Sequence, residues 1–389
     1  MKKTCVFCSL SSFGTGMPIS TCKLAVGLAG RGVDVCVVLP EEGELAERLR
    51  GAGIDVGIVP FERLKRDFWK RPWQLLTWIF AGWRLRGYIR GNGVGIAHFS
   101  DVIDAPFYPF ARLAGAASVA HIRVCVDAGA VRYLYRVWTH LFCSRIVTVS
   151  HFVKRYYGFG RRASVVYNPG PDRSVFNGAN IINAVPADTN AVNTDADDIP
   201  TVIAVSSFRR DKGHHNFLEI ASRIKTKISG DVKFIIVGGK VPGHEKYYDE
   251  MIDEIKRKGL DGCLTVTGNI KQEEVAAVMA VASVLVHAPD WEEALGGVVL
   301  EAMAMGVAVV AYDCGGIGEC FTDGESGYLV KRGDINSAAD RTAAILESRE
   351  LRQKTAIAAR AELDSKFTME NYISGIEKIY DDVLNGERA

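Results

Sequence analysis

Residues 4–39 read TCVFCSLSSFGTGMPISTCKLAVGLAGRGVDVCVVL, and this stretch decides the fold. Thr4–Phe7 is a short apolar run, followed by a loop from Ser9 to Gly16. From Ile19 to Ala29 the apolar residues recur at helical spacing, and Gly30-Arg31-Gly32 closes that helix. Val33–Leu39 is a second apolar run of strand length. Strand, helix and strand in this order make a βαβ unit with parallel strands.

The same alternation continues outward. Apolar runs recur at Gly57–Val59, Gly95–His98, Ser118–Ile122 and Arg145–Val149, with helical stretches mostly between them. Residues 177–200, NGANIINAVPADTNAVNTDADDIP, lose all periodicity and read as a linker or loop. A second alternating region then follows. Its strands are expected at Thr201–Val205, Lys233–Val237, Cys263–Val266, Val284–His287, Val307–Ala311 and Tyr328–Val330. Its helices are expected at His214–Thr226, Lys246–Lys258, Glu273–Ala282, Gly297–Met305 and Ile335–Leu346, and Thr368–Leu384 is one more amphipathic helix. The expected fold class is therefore α/β, with two Rossmann-like, doubly wound parallel-sheet domains. The expected division is 1–176 for the first domain, 177–200 for the linker and 201–366 for the second domain. Residues 367–389 form a final helix expected to pack back on the first domain. Ligands of such folds bind at the carboxyl ends of the strands.

The 389 residues are 48% hydrophobic and 24% charged, which excludes a disordered, collagen-like or disulfide-scaffold chain. A net charge of +1 conceals an asymmetry. Residues 1–175 carry 24 basic and 12 acidic side chains, whereas 176–389 carry 23 and 34. The first part is expected to meet something anionic. Met1-Lys2-Lys3 is followed by too short an apolar run for a signal sequence, and the uncharged run Val275–Pro289 spans 15 residues, short of a bilayer. Nine cysteines, several inside apolar runs, suit a reducing cytoplasm. Cys5-x-x-Cys8 has the spacing of a metal or redox motif, but residues three apart on a strand face opposite ways, so both read as small buried hydrophobes.

The chemistry concentrates in residues 290–306, DWEEALGGVVLEAMAMG. Glu293 lies on a loop before a helix and Glu301 lies within that helix, from which a long side chain leans back toward the helix mouth. The amides of Leu295, Gly296 and Gly297 are expected as free donors at the helix N-terminus, suited to an anionic group. Residues 206–213, SSFRRDKG, sit between a strand and a helix, where Lys212 and a nearby arginine would clamp a diphosphate. Phe13-Gly14-Thr15-Gly16 lacks the third glycine of a dinucleotide fingerprint. His98, His121 and Arg123 follow apolar runs and are expected on the ligand side. Thr194–Asp198 matches an Asp-x-Asp metal motif, but no strand precedes it and it reads as solvated linker. Phe61–Arg90 carries eight Lys and Arg against two acids, interleaved with Trp69, Trp73, Trp78, Phe80, Trp83 and Tyr88. That segment suits either an anionic lipid surface or a helix with its aromatics in the core. No nucleic-acid motif accompanies it, so no nucleic-acid partner is expected.

The 290–306 string resembles the Glu-x7-Glu signature of family 4 retaining glycosyltransferases, and the resemblance extends from Gly14 to the final helix. Ala311–Glu319, Asp323–Val330, Val149–Lys154 and Tyr167–Asp172 resemble further family segments, the third with His151 where Glu is usual. The resemblance implies a GT-B fold and transfer of a sugar from a UDP- or GDP-sugar to a hydroxyl acceptor, with retention and without a metal. It implies that Glu293 binds donor-sugar hydroxyls, Glu301 the ribose, and the amides near Gly296 a phosphate. It places Lys212 at the diphosphate, His121 near the reacting centre, and Gly16 near donor phosphate and acceptor. His98 and Arg123, from their places after apolar runs, are the acceptor-side candidates. Leu295 stands where Phe is commoner, and Ser207, expected among the donor-binding residues, stands where the family has an arginine; either Arg209 or Arg210 substitutes for it, with Arg209 expected, or the clamp is weaker. The basic first domain and the Trp-rich segment 61–90 make the expected acceptor a lipid-linked or cell-surface saccharide, met in the cytoplasm or peripherally at the inner membrane face. The alternatives are a binding or scaffold relative without turnover, and a nucleotide-sugar epimerase.

Overall fold

The computed structural model describes residues 3–11, 16–61, 73–126, 129–177 and 199–386. Three readings fall outside these residues: the turn at Phe13–Thr15, the stretch 62–72 with Trp69, and the body of the linker with Thr194–Asp198. The chain divides into two compact units, Met1–Asn168 with Met369–Ala389, and Pro169–Thr368.

The first unit contains β1 (Lys3–Phe7), α1 (Gly16–Gly30), β2 (Val35–Leu39), α2 (Glu44–Gly51), β3 (Asp55–Ile58), α3 (Trp73–Gly91), β4 (Val94–Phe99), α4 (Tyr108–Leu113), β5 (Ala117–Ile122), α5 (Gly129–Phe142), β6 (Arg145–Thr148), α6 (His151–Tyr157) and β7 (Ala163–Val165). Its strands form one sheet in the order β3-β2-β1-β4-β5-β6-β7, parallel throughout. β2 is buried at every position, as an apolar strand inside a sheet covered on both faces must be. Chain order reverses between β1 and β4, which makes a topological switch point.

The second unit contains β8 (Thr201–Val205), α7 (His214–Lys227), β9 (Lys233–Val237), α8 (Glu245–Arg257), β10 (Leu264–Val266), α9 (Gln272–Ala280), β11 (Val284–His287), α10 (Gly297–Met305), β12 (Ala308–Asp313), β13 (Tyr328–Lys331), α11 (Ile335–Glu347) and α12 (Arg349–Lys366). The six strands run parallel in the order β10-β9-β8-β11-β12-β13, with a switch point between β8 and β11. Both sheets are doubly wound, so the α/β reading holds. α12 was not anticipated, because its sequence is polar; Ser348 caps it by accepting a hydrogen bond from the Leu351 amide, 3.1 Å. Pro169–Asn177 belongs with the second unit: the Gly170 amide donates to the Phe367 carbonyl at 2.7 Å, and Arg173 pairs with Asp364.

The last helix, α13 (Met369–Leu384), returns to the first unit. Its Tyr372, Ile373, Ile376, Ile379 and Tyr380 join Leu24 and Leu28 of α1 and Val37 and Val119 of the sheet in one buried core. Burying side chains of this size stabilises by about 1.5–3 kcal/mol each, so α13 is integral to the unit.

Candidate active site

In the second unit the loops leaving β8 and β11 diverge from neighbouring strands and meet again over the switch point. The Asp290 amide donates to the Asp211 carbonyl at 3.0 Å. Asn216, in the first turn of α7, donates through Nδ2 to the Ala288 carbonyl at 3.0 Å and to Asp290 Oδ1 at 2.7 Å. His215 Nε2 lies 2.8 Å from Asp290 Oδ2. Across these loops Lys212 Nζ donates to Glu293 Oε1 at 2.6 Å, and both side chains keep about a fifth to a quarter of their surface exposed. The site residues Lys212 and Glu293, 81 positions apart in sequence, are therefore one unit.

Two glycines make this closeness feasible. Gly213 has φ +69°, and a Cβ there would stand 1.9 Å from the Ala288 carbonyl oxygen. Gly315, with φ +68°, would place a Cβ 2.1 Å from the Glu293 carbonyl oxygen. The next amide, of Gly316, donates to that same carbonyl at 2.7 Å, so the loop after β12 fixes the Glu293 backbone.

α10 begins at Gly297, with Gly296 as its N-cap and no side-chain cap. The amide expected to be free at Gly297 instead donates to the Leu295 carbonyl at 2.9 Å. This local turn withdraws one of the three anticipated donors. Leu295 is half-buried and Gly296 buried, and the Gly296 carbonyl accepts the first helical bond from Leu300 at 3.1 Å. Glu301 lies in the second turn, half-buried.

Ser207 is exposed on the loop after β8. Arg209, the expected replacement clamp, donates from Nε and a terminal nitrogen to both carboxylate oxygens of Asp211, at 3.0 and 2.8 Å. Arg210 pairs with Glu250 at 3.0 Å and lies over the Tyr247 ring. Both arginines are thus engaged inside the unit, with carboxylates close enough to satisfy them.

His287, the last residue of β11, was not singled out as a site residue. It is buried, its Nε2 has no hydrogen-bond partner, and burial pulls its pKa down to about 4 despite the Glu293 carboxylate. Its signal in the sequence is the position of a polar residue at the end of an apolar strand, just before the Glu293 loop. Asp290, His215 and Asn216 were also missed; only the contact between loops reveals them. Among the described residues no group of three His, Cys, Asp or Glu is placed to hold a metal ion.

The first-unit candidates behave differently. Gly16 is the first residue of α1. His98 and His121 lie within β4 and β5, not beyond them, and both are wholly buried. His98 Nε2 is 3.2 Å from His121 Nδ1, and Tyr380 of α13 reaches His98 Nδ1 at 2.8 Å. Arg123 donates to Tyr372 Oη at 2.9 Å and to the Ser100 carbonyl. His98 and Arg123 thus bond to α13, and His121 bonds to His98 with its own Nε2 left without a hydrogen-bond partner; the ligand roles expected of the three stand as a proposal. Burial, and then the Arg123 charge, pull both histidine pKa values well below the usual range, so both rings are neutral.

The aromatic segment divides between its two readings. Trp78 stacks on Phe107 and meets Phe61 edge-on, whereas Trp73, Phe80 and Trp83 of α3 are exposed.

A family model described as "Glycosyl transferases group 1" matches residues 188–362, and one described as "Glycosyltransferase Family 4" matches residues 14–169. The chain belongs to the family 4, group 1 glycosyltransferases. Among relatives of this family 4 chain, N-acetyl-alpha-D-glucosaminyl L-malate synthase of Bacillus anthracis is 30% identical over 187 residues, 48% of this chain and 46% of that protein. The 2-deoxystreptamine N-acetyl-D-glucosaminyltransferase of Niallia circulans is 29% identical over 167 residues, 43% of this chain and 41% of that protein. The chain thus matches less than half the length of these relatives. The crystal structure of Anabaena HepE in complex with UDP and glucose superposes with a TM-score of 0.79 at 18% identity, covering 98% of this chain and all of that one. That likeness shows the fold, which is GT-B.

Proposed function

We propose that the chain transfers a sugar from a nucleoside-diphosphate sugar to a hydroxyl acceptor, with retention of anomeric configuration. The observation that carries this reading is the Lys212–Glu293 pair, 2.6 Å long, at the switch point and beside the uncapped N-terminus of α10. In this reading the anomeric carbon–oxygen bond to the diphosphate breaks, and the negative charge that develops on the leaving oxygen is met by the Lys212 ammonium and the positive end of α10. Glu293, freed from Lys212 as the diphosphate takes its place, accepts hydrogen bonds from sugar hydroxyls. Glu301 accepts from the ribose. The acceptor hydroxyl attacks the same face that the diphosphate leaves, and its proton passes to a departing phosphate oxygen. The leaving-group charge is assigned to these residues, so the reaction is proposed to need no metal.

UDP is the first nucleotide to test and GDP the second, since HepE was crystallised with UDP. The names of both relatives specify an N-acetylglucosaminyl group, which makes UDP-N-acetylglucosamine the first donor. The acceptor is proposed to be a lipid-linked or cell-surface saccharide, presented to the basic first unit at the inner membrane face. Supporting this are the excess of basic residues in 1–175 and the exposed Trp73, Phe80 and Trp83 of α3. Among the described residues no helix is long and apolar enough to cross a membrane. A second reading, a nucleotide-sugar-binding relative without turnover, is favoured by one observation, the engagement of Arg209 by Asp211.

Calorimetric titration of UDP and GDP into wild type and Glu301→Ala tests the site. Binding of one diphosphate, lost in the variant, supports the assignment; no binding of either removes it. Proton NMR of the sugar product then reads the anomeric configuration, and an inverted product overturns retention.

A further inference from the structure

A cavity of about 370 Å³ opens between α5 and α6 of the first unit, lined by Arg132, Arg136 and Arg155 together with Tyr133, Tyr156 and Tyr157. The Arg132 guanidinium lies 4.5 Å over the Tyr156 ring, which holds its planar fork in place. Residues 129–162 contain seven Lys and Arg and no Asp or Glu. Among the described residues none of the three arginines forms an ion pair with a carboxylate. Guanidinium groups that line one cavity and have no carboxylate partner among the described residues favour a group with several anionic oxygens, which they bind through paired N–H donors.

The other flank of α5 is apolar. Leu134, Val137, Trp138 and Leu141 recur at helical spacing and are all exposed, while Thr139 faces the interior. Trp138 donates its indole N–H to the Ala105 carbonyl at 2.9 Å, which fixes the ring while the side chain stays exposed. Tyr133 lines the cavity and is itself exposed, and it lies on the outward side of α5 between the two flanks. α4 packs between α3 and α5 and adds exposed Leu113, and α3 adds Leu76, Ile79 and Phe80. A free anion would leave this apolar surface in water; a lipid surface would cover it.

We propose that the α5–α6 cavity binds the phosphate of an anionic phospholipid headgroup, with the exposed flank of α5 seated in the same bilayer surface. Charge complementarity selects this occupant. An anionic headgroup answers the arginines, and the headgroup–acyl boundary takes apolar and aromatic side chains next to cationic ones. The inference does not depend on which sugar is transferred, or on transfer at all.

The test is flotation of the full chain with vesicles of phosphatidylcholine alone and of phosphatidylcholine with phosphatidylglycerol. Three proteins are compared: wild type, Arg132→Gln/Arg136→Gln/Arg155→Gln, and Leu134→Ser/Leu141→Ser. Wild type is expected on the anionic vesicles and not on the zwitterionic ones. Loss of one cation near an anionic surface lowers partitioning about fivefold, so the triple variant should bind roughly 100-fold less. The double variant should also bind less, with its salt dependence retained. UDP titration and a thermal melt on each protein report folding and the second-unit site. Equal flotation on both vesicle types, or undiminished flotation of the triple variant, overturns the headgroup site. Binding of inorganic phosphate at the cavity without vesicle binding overturns the lipid and leaves a soluble anion. Vesicle binding without UDP binding retains this inference while the transfer reading fails, and the converse result separates them in the other direction.

Discussion

Lys212 Nζ donates to Glu293 Oε1 across the loops that leave two adjacent strands, 2.6 Å apart and open to solvent on one side. Each side chain neutralises the other until a ligand with more negative charge than one carboxylate arrives. In the proposed reaction the diphosphate is such a ligand, and its arrival is proposed to convert the internal ion pair into a clamp and a freed acceptor. The backbone around both residues is already fixed, by the Asp290–Asp211 bond on one side and the Gly316–Glu293 bond on the other, so little ordering remains to be done on binding.

Lys212→Ala is expected to lower kcat about 10²- to 10³-fold, the usual consequence of removing one group that meets developing negative charge. Glu293→Gln removes the partner and is expected to raise KM as well. Because the two residues act together, the double variant should be little worse than the poorer single one. Initial rates with the donor identified by titration decide this. A Lys212→Ala enzyme with wild-type kcat would sink the leaving-group role.

Gly315→Ala combines a positive φ with a Cβ 2.1 Å from the Glu293 carbonyl oxygen. The strained backbone alone costs about 1–3 kcal/mol, and the contact must also push the Glu293 loop aside. The expected outcome is a lower melting temperature and a UDP affinity reduced by at least the same factor as for Glu293→Ala. An unchanged titration would mean that the loop after β12 does not hold the site.

The fold was legible because buried parallel strands leave short apolar runs, and punctuating glycines mark where each helix ends. The places of Lys212, Glu293 and Glu301 on loop and helix were legible for a similar reason, since each stands in a strand–loop–helix string; the Lys212–Glu293 contact was not. The burial of His98, His121 and Arg123 was not legible, because a strand sequence does not say what covers its face. The covering residues, Tyr372 and Tyr380, come more than 240 positions later. The withdrawn Gly297 donor and the engaged Arg209 were equally invisible, since each depends on a neighbour two residues away adopting one of several local turns. α12 was hidden by its polar surface, and its capping serine is a signal only once the helix is known.

Tyr380→Phe removes the hydroxyl that reaches His98 Nδ1 at 2.8 Å and changes nothing else in shape. A buried ring nitrogen left without its partner costs about 1–3 kcal/mol. The urea midpoint of the first unit is expected to fall accordingly, while UDP affinity in the second unit stays unchanged. A variant as stable as wild type would show that the Tyr380–His98 hydrogen bond contributes nothing to holding α13.

Acid should destabilise the chain earlier than carboxylate titration would predict. His98 and His121 are pulled well below 6.5 by burial first, and His214 and His287 are pulled down to about 4, also by burial first. A histidine whose folded pKa lies below its unfolded value binds a proton more readily when unfolded. Its contribution is therefore complete above about pH 6.5 and is lost as pH falls toward the folded value. Each such histidine adds a slope of up to about 1.4 kcal/mol per pH unit in that window. Urea unfolding at several pH values between 7.5 and 5 measures the sum. A steep decline starting near 6.5 is expected, and a midpoint that stays flat down to pH 5 would mean that these rings are protonated, or reached by water, in the folded chain.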